Sequence, residues 1–306
     1  PNSVNGMDFT NINAAMASSS VGAGDTLYLD QYFSTSVKQS VTKRVVIIGT
    51  GYDTSFTDEK VVATLTDSLT LMVDSIQVKS VKLNQVKFYA NECTLDRCYT
   101  GKIEIGKVPN GLNHIYSCYI TGTVGNQVLA SSTITSVSGS TTNTYVKAQL
   151  DIQNCLFKCT SYQLTYLTNS IINNNTFIGY STYYCIYYVD NSQITNNIIS
   201  NNRSSSSPYS YYGIDNTCLA TGSGNTIEHN IAYQSISSSN SNNGSIAQLF
   251  VGTGNFSDYY KLKTNVTDNY SLTYGTDGGE VGCHGGMFGC PSGGRPQYIP
   301  YFTKVV

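Results

Sequence analysis

The sequence predicts an all-β fold, a single-stranded parallel β-helix in which one chain winds through stacked coils behind a short N-terminal capping helix. Three observations carry this. A six-residue phrase recurs: apolar, two polar residues, Asn or a small residue, a spacer, then Phe or Ile. Its clearest copies start at Ile172, Ile194 and Ile227, with looser ones at Ile152, Ile115 and Leu83. The fourth position runs Val86, Cys118, Cys155, Asn175, Asn197, Asn230, with gaps of 32, 37, 20, 22 and 33 residues. Two short, near-equal gaps among longer ones are what a solenoid with insertions gives. Finally, Ser, Thr, Asn, Gly and Tyr dominate and long helix-forming runs are missing, which favours strands. The apolar residues of the phrase are expected to face the bore. Asn at the fourth position is expected to take a left-handed turn and stack amide on amide with the next coil. Val86 is β-branched and resists such a turn, so its coil should turn differently.

The 306 residues read as one domain, since elongated β architectures run this long. Residues 1–40 would form the cap and first strand, 41–248 the coils and 249–306 a closing segment. The chain opens on Pro1 without an apolar leader, which reads as a mature chain whose targeting segment has been removed. Asp8 near an N-cap, followed by Ile12, Ala15 and Met16 on one face, predicts the short helix. Next come a turn feeding a strand at Gly24-Asp25-Thr26-Leu27-Tyr28-Leu29 and a buried strand with a glycine stop at Val45-Val46-Ile47-Ile48-Gly49. Residues 69–73 and 78–88 alternate as strands do. Residues 89–112 read as a long polar insertion and 121–143 as a Ser/Thr/Gly-rich loop. Leu164 and Ile186 each stand 11 residues before their Asn, which puts those two coils in register. Ile214 stands 16 before Asn230, the extra residues matching a turn around Gly222 and Gly224. The Ser204–Ser207 run with Pro208 is a loop between coils.

The order of helix, Gly-Asp-Thr strand and Val-Ile-Ile-Gly-Thr-Gly strand resembles the N-terminal cap and first coil of pectin-lyase-like proteins, the right-handed parallel β-helix superfamily. The tail resembles the closing segment of secreted bacterial β-helix proteins, in Phe250-Val251-Gly252, Tyr259-Tyr260-Lys261-Leu262 and Gly275-Thr276-Asp277-Gly278. The resemblance implies a right-handed solenoid plugged by its helix, and a secreted, periplasmic or cell-surface location. It implies little about chemistry, because one such scaffold carries lyases, hydrolases, adhesins and inert spacers.

Composition narrows the function further. Only 12% of residues are charged and the formal net charge is −2, which argues against nucleic-acid binding. No apolar run is long enough to span a membrane. Of nine cysteines, Cys118, Cys155, Cys185 and Cys218 sit in apolar contexts and read as buried thiols. Bridges are open for Cys93 with Cys98 and for Cys283 with Cys290. Family lyases use an Arg or Lys base with Asp or Glu holding calcium, and family hydrolases use paired aspartates about 5 to 10 Å apart. Asp151, Asp190, Asp215 and Glu228 lie on neighbouring coils but at different positions of the repeat. Three scattered histidines, His114, His229 and His284, make no metal constellation. No complete catalytic set is visible, and no cofactor is expected unless calcium comes with a lyase.

Tyrosine is the skewed residue, with 25 copies and no Trp. Tyr183, Tyr184, Tyr187, Tyr188, Tyr209, Tyr211 and Tyr212 crowd onto adjacent coils, and outward rings with hydroxyls at the rim suit sugar rings. Tyrosine is also simply a good strand residue. The expected site is a shallow groove formed by Tyr184, Tyr188, Tyr209, Tyr211 and Tyr212, with Arg203 and Asp190 or Asp215 as polar groups. Gln163, Asn191 and Gln193 stand near enough to add amide hydrogen bonds. Arg203 beside aromatic rings would anchor a carboxylated sugar. The expected function is binding of a polysaccharide or other glycan, or adhesion, by a monomer outside the cytoplasm. The alternative is a polysaccharide lyase or glycoside hydrolase.

Overall fold

Strands two to eight residues long, alternating inward and outward, stack parallel from coil to coil. The computed structural model describes residues 2–4, 7–51, 62–106, 111–122, 124–125, 147–158, 163–179, 185–201, 214, 218, 220, 222–232 and 282. Among these, one sheet stacks nine strands in chain order, all parallel: Thr26–Tyr28, Val46–Ile48, Gln77–Lys79, Thr94–Asp96, Leu112–Tyr116, Gln149–Gln153, Ile171–Asn173, Gln193–Thr195 and Thr226–Glu228. A second sheet of thirteen parallel strands holds the rest of each coil. The fold is therefore an all-β stack of parallel strands. No helix among the described residues is long and apolar enough to cross a membrane.

The period of two along each strand decides what is buried. Leu27, Ile47, Val78, Leu95, Ile115, Ile152, Ile172 and Ile194 occupy the penultimate position of successive strands, face inward and are at most 1% exposed. Opposite them the second sheet stacks Phe157 on Phe177, ring centroids 4.6 Å apart and 16° from parallel. Ile199 continues that column in register, as expected. Leu164, Ile186 and Ile214 also pair in register.

The helix Ile12–Ala17 buries Ile12, Ala15 and Met16 against the first coils. Asn11, not Asp8, is its N-cap: the Asn11 side chain accepts from the Ala14 N–H at 2.8 Å. Asp8 instead belongs to the strand Met7–Phe9, which pairs antiparallel with Asn2–Val4. Asn13 ties the helix to the second sheet, accepting from the Ser40 N–H and donating to the Lys38 carbonyl.

The corners correct the expected turn geometry. From the strand Gln77–Lys79 onward, the residue after each strand of the nine-stranded sheet is left-handed. These are Ser80, Arg97, Ser117, Asn154, Asn174, Asn196 and His229, with φ between 50° and 58°. The ladder residue comes one later and is not itself left-handed. The inward column is Val81, Cys98, Cys118, Cys155, Asn175, Asn197 and Asn230, each at most 0% exposed. Val86 is no part of it; it lies in the strand Lys82–Phe88, paired with Leu69 and Ile103. The residues expected to form a polar insertion at 89–112 instead contain a full coil, with strands Thr94–Asp96 and Tyr99–Ile105. Its slot residue is Cys98, so the column spacing becomes 17, 20, 37, 20, 22 and 33 residues.

From Cys118 onward each side chain of this column takes the backbone N–H of the coil before it. The Cys98 N–H donates to Cys118 Sγ and the Cys118 N–H to Cys155 Sγ, both at 3.4 Å. The Cys155 N–H donates to Asn175 Oδ1 at 2.9 Å, that of Asn175 to Asn197 Oδ1 at 2.8 Å, and that of Asn197 to Asn230 Oδ1 at 3.0 Å. The amides also donate backward, Asn175 Nδ2 to the Ile152 carbonyl, Asn197 Nδ2 to Ile172 and Asn230 Nδ2 to Ile194. A second column stands at the opposite end of the same strands, where Leu150 donates to Ser170 Oγ, Ser170 to Ser192 Oγ and Ser192 to Asn225 Oδ1.

The six described cysteines are buried, and Cys93, Cys98, Cys118 and Cys155 are free thiols. Cys93 and Cys98 flank the strand Thr94–Asp96, one in each corner column, so the open bridge between them is not made. Burial pushes the Cys93 thiol up to about 11. Cys283 and Cys290 lie outside the described residues, as does the closing segment apart from Gly282, whose N–H donates to the Asn196 carbonyl at 2.8 Å.

Asn197→Ala leaves the Asn175 N–H and the Ile172 carbonyl buried without their partner, which should cost about 2–4 kcal/mol. Cys118→Ala removes a weaker acceptor and should cost less, about 1–2 kcal/mol. Urea denaturation of the two variants against the parent chain measures the difference, and equal losses would show that the amide column is not special.

Candidate functional site

Two outward clusters combine chemically capable side chains. One lies on the strands Leu164–Thr168 and Ile186–Asp190 of the thirteen-stranded sheet. They pair in register at Leu164 with Ile186, Thr165 with Tyr187, Leu167 with Val189 and Thr168 with Asp190, and the register skips Tyr166 and Tyr188. Both skipped residues are left-handed, with φ of 56° and 53°. A bulky side chain is an outlier in that region. The kink occurs at the same place in two successive coils, and the two rings stack 5.4 Å apart and 7° from parallel. Tyr187 meets them edge-on, at 6.0 Å from Tyr166 and 4.3 Å from Tyr188. Tyr188 is 39% exposed.

Beside Tyr188 is a pocket of about 200 Å³ lined by Lys147, Tyr188, Val189, Asp190, Asn191, Gly222 and Ser223. Lys147 Nζ pairs with Asp190 Oδ2 at its rim, so cation and acid offset each other. The Asn191 N–H donates to the Ser223 carbonyl at 2.9 Å, closing the far wall.

Of the residues the sequence singled out, Tyr188 and Asp190 are brought together here. Tyr184, Arg203, Tyr209, Tyr211, Tyr212 and Asp215 lie outside the described residues. Asn191 lines the pocket, whereas Gln163 is fully buried with Nε2 donating to the Ile178 carbonyl and Gln193 lies on the other sheet. Sequence reasoning missed Tyr166 and Lys147. Tyr166 stands 22 residues before Tyr188, the spacing of Asn175 from Asn197, and that periodicity was a usable signal. Lys147 stands 43 residues before Asp190, about two coil steps, but a single Lys and a single Asp at that distance form no pattern that marks them as partners.

The other cluster was also missed. His114 and Asp151 are direct partners in the nine-stranded sheet, although 37 residues apart. Asp151 is 7% exposed. Its Oδ2 accepts from the Tyr116 hydroxyl at 2.5 Å and lies 3.4 Å from His114 Nδ1, while its Oδ1 accepts from Gln153 Nε2 at 2.8 Å. On the other side, His114 Nε2 stands 3.5 Å from Glu92 Oε2. The hydrogen bond to Asp151 raises the His114 pKa above its ordinary value, against desolvation, with Glu92 adding to the rise. Burial opposes the Asp151 charge, but hydrogen bonds from His114, Tyr116 and Gln153 outweigh it and hold the carboxyl below its ordinary range. Burial and the Asp151 charge push the Tyr116 phenol strongly upward, so the phenol stays protonated as a donor. The cluster spans three coils. Chemically it can hold an imidazolium between two carboxylates.

Among the described residues no group of three or more His, Cys, Asp or Glu is placed to hold a metal ion. No family model, curated protein or solved structure matches the chain.

The two shifted groups fix a pH profile. His114 is raised in the folded chain, so its contribution is fully present below about pH 6.5 and is lost as pH rises through its folded value. Asp151 is lowered, so its contribution is present above its ordinary range and is lost as pH falls through its folded value. The parent chain should therefore resist urea better at pH 5.5 than at pH 8.5. His114→Gln should flatten that difference, and an unchanged difference would mean another group sets it.

Proposed function

We propose that this chain is a glycan-binding protein that works outside the cytoplasm as a monomer, on a right-handed solenoid of the pectin-lyase-like kind. Its contact surface is the tyrosine face formed by Tyr166, Tyr187 and Tyr188 with the neighbouring pocket. The observation that carries this reading is the pair of left-handed tyrosines in consecutive coils, stacked ring on ring. Strain of this kind costs on the order of 1–3 kcal/mol per residue and collects at functional sites. A strand that needed only a β-former would have taken tyrosine in extended backbone, with no skip in register.

The aromatic faces suit the apolar face of a pyranose ring, and the rim offers hydroxyl, amide and carboxylate groups to sugar hydroxyls. Because Lys147 is matched by Asp190, the described part of the pocket favours a neutral sugar over the carboxylated sugar that Arg203 would anchor.

The enzymatic alternative, a polysaccharide lyase or glycoside hydrolase, has the His114–Asp151 pair in its favour, since a positioned imidazole is an ordinary proton carrier. Assay of glycan digests for new unsaturated or reducing ends tests that alternative, and turnover lost in His114→Gln would establish it.

Tyr188→Asn removes the ring while supplying a residue that accepts left-handed backbone. Titration with neutral oligosaccharides should show roughly tenfold weaker binding, about 1.4 kcal/mol, with a melting midpoint close to that of the parent. Undiminished affinity would remove the tyrosine face from the binding surface.

A further inference from the structure

The thirteen-stranded sheet carries a second concavity, of about 340 Å³, that shares no residue with the tyrosine face. Its walls come from the strands Thr64–Leu71, Lys82–Phe88 and Tyr99–Ile105, together with Thr121. Gly101 contributes only backbone to its lining. A Cβ at Gly101 would stand 2.6 Å from the Asn84 carbonyl oxygen, and one at Gly122 would collide with the Gly101 carbonyl. The close approach of neighbouring coils thus requires glycine at both positions, which keeps this stretch free of side chains.

The charge of this groove differs from that of the tyrosine pocket. Its lining has one cation, Lys82, and no acid. Among the described residues Lys82 makes no ion pair, whereas Lys87 and Lys102 share Glu104, at 3.8 and 3.7 Å, and Lys147 is matched by Asp190. Lys82 Nζ is held 5.5 Å over the Tyr99 ring, and Tyr99 is braced edge-on by Tyr119 at 5.2 Å. A cation over an aromatic face is fixed in position yet keeps donors for a further partner.

The neutral groups specify the rest of the ligand. Thr64 Oγ1 donates to the Val62 carbonyl, Thr66 Oγ1 to Thr35 and Thr121 Oγ1 to Thr100. With their protons committed to backbone, these hydroxyl oxygens remain as acceptors. A ligand meeting them must bring hydroxyl donors as well as a negative charge.

We propose that this groove binds an acidic sugar, its carboxylate or sulfate ester on Lys82 and its hydroxyls donating to the threonine oxygens. The inference is independent of the tyrosine face, whose described part favours neutral sugars.

The test is calorimetric titration of the full chain with three probes of matched length: a uronic-acid oligosaccharide, a sulfated neutral oligosaccharide and its unsulfated parent. At least one acidic probe should bind the parent chain, and whichever binds identifies the source of charge. Lys82→Gln should weaken that binding roughly tenfold, as loss of a charge-assisted contact does, and should leave the unsulfated oligosaccharide as it was. Thr121→Val, which keeps the shape and removes an acceptor, should weaken it by a smaller factor. Lys38→Gln removes the same charge away from the groove and should change nothing. The proposal is overturned if neither acidic probe binds, if Lys82→Gln binds them as the parent does, or if Lys38→Gln loses as much. Failure of the unsulfated oligosaccharide to bind anywhere would count against the tyrosine face and leave the groove untouched.

Discussion

A backbone N–H at a coil corner has left one strand and not yet entered the next, so it has no sheet partner. Left buried and unpaired, each would cost about 1–3 kcal/mol, and the corners recur in every coil. The solenoid depends on one solution to this problem. The left-handed residue turns the chain, and the residue after it points inward. Its N–H is then taken by the corresponding side chain of the next coil. From Cys118 to Asn230 the slot holds a small side chain with an acceptor at its tip, which is why that part of the inward column contains no charged or bulky residue. The outward strands, and with them the tyrosine face, inherit their registration from these corners.

The column changes chemistry partway. From Cys98 to Cys155 the acceptor is a thiol at 3.4 Å, and from Asn175 to Asn230 it is an amide oxygen at 2.8 to 3.0 Å. An amide also donates, both to a carbonyl of the preceding coil and to the next amide, as Asn197 Nδ2 does to Asn230 Oδ1 at 2.9 Å. The thiols donate as well, Cys155 Sγ to the Ile115 carbonyl at 3.4 Å, but sulfur is a weaker partner in both roles. The amide half is thus the more tightly knit, and it supports the coils that present Tyr166 and Tyr188.

How much of this was legible in the sequence depends on whether a feature is local. Asn175, Asn197 and Asn230 could be aligned because they repeat within one short phrase, and Phe177 with Ile199 followed from the same alignment. The coil at Cys98 was missed because both outward positions of its phrase, Leu95-Asp96-Arg97-Cys98, carry formal charge, whereas the recognised copies carry at most one there, Glu228. Charge at those positions faces solvent, so the fold tolerates it while the pattern dissolves. The left-handed residue was assigned one place too late, because Asn fills both positions in Asn174-Asn175 and Asn196-Asn197. The His114–Asp151 pair was invisible for another reason. Its spacing contains an interruption whose length no local rule supplies, and only the strand register brings the two together. Tyr188 and Asp190 were found through composition, and Lys147 could not be.

The corner link has a direction: the later coil always supplies the acceptor and the earlier coil the N–H. It is also indifferent to how many residues separate the two, since steps of 20, 22, 33 and 37 residues all close with a side-chain acceptor on the later coil. A chain joined in this way has no built-in length. Removing or duplicating a whole coil would leave the same single corner open at the terminal end, and everything behind it would remain closed. The corner link therefore sets no limit on coil number. The outer face between corners is correspondingly free to take on tyrosines in one coil and a glycine in another.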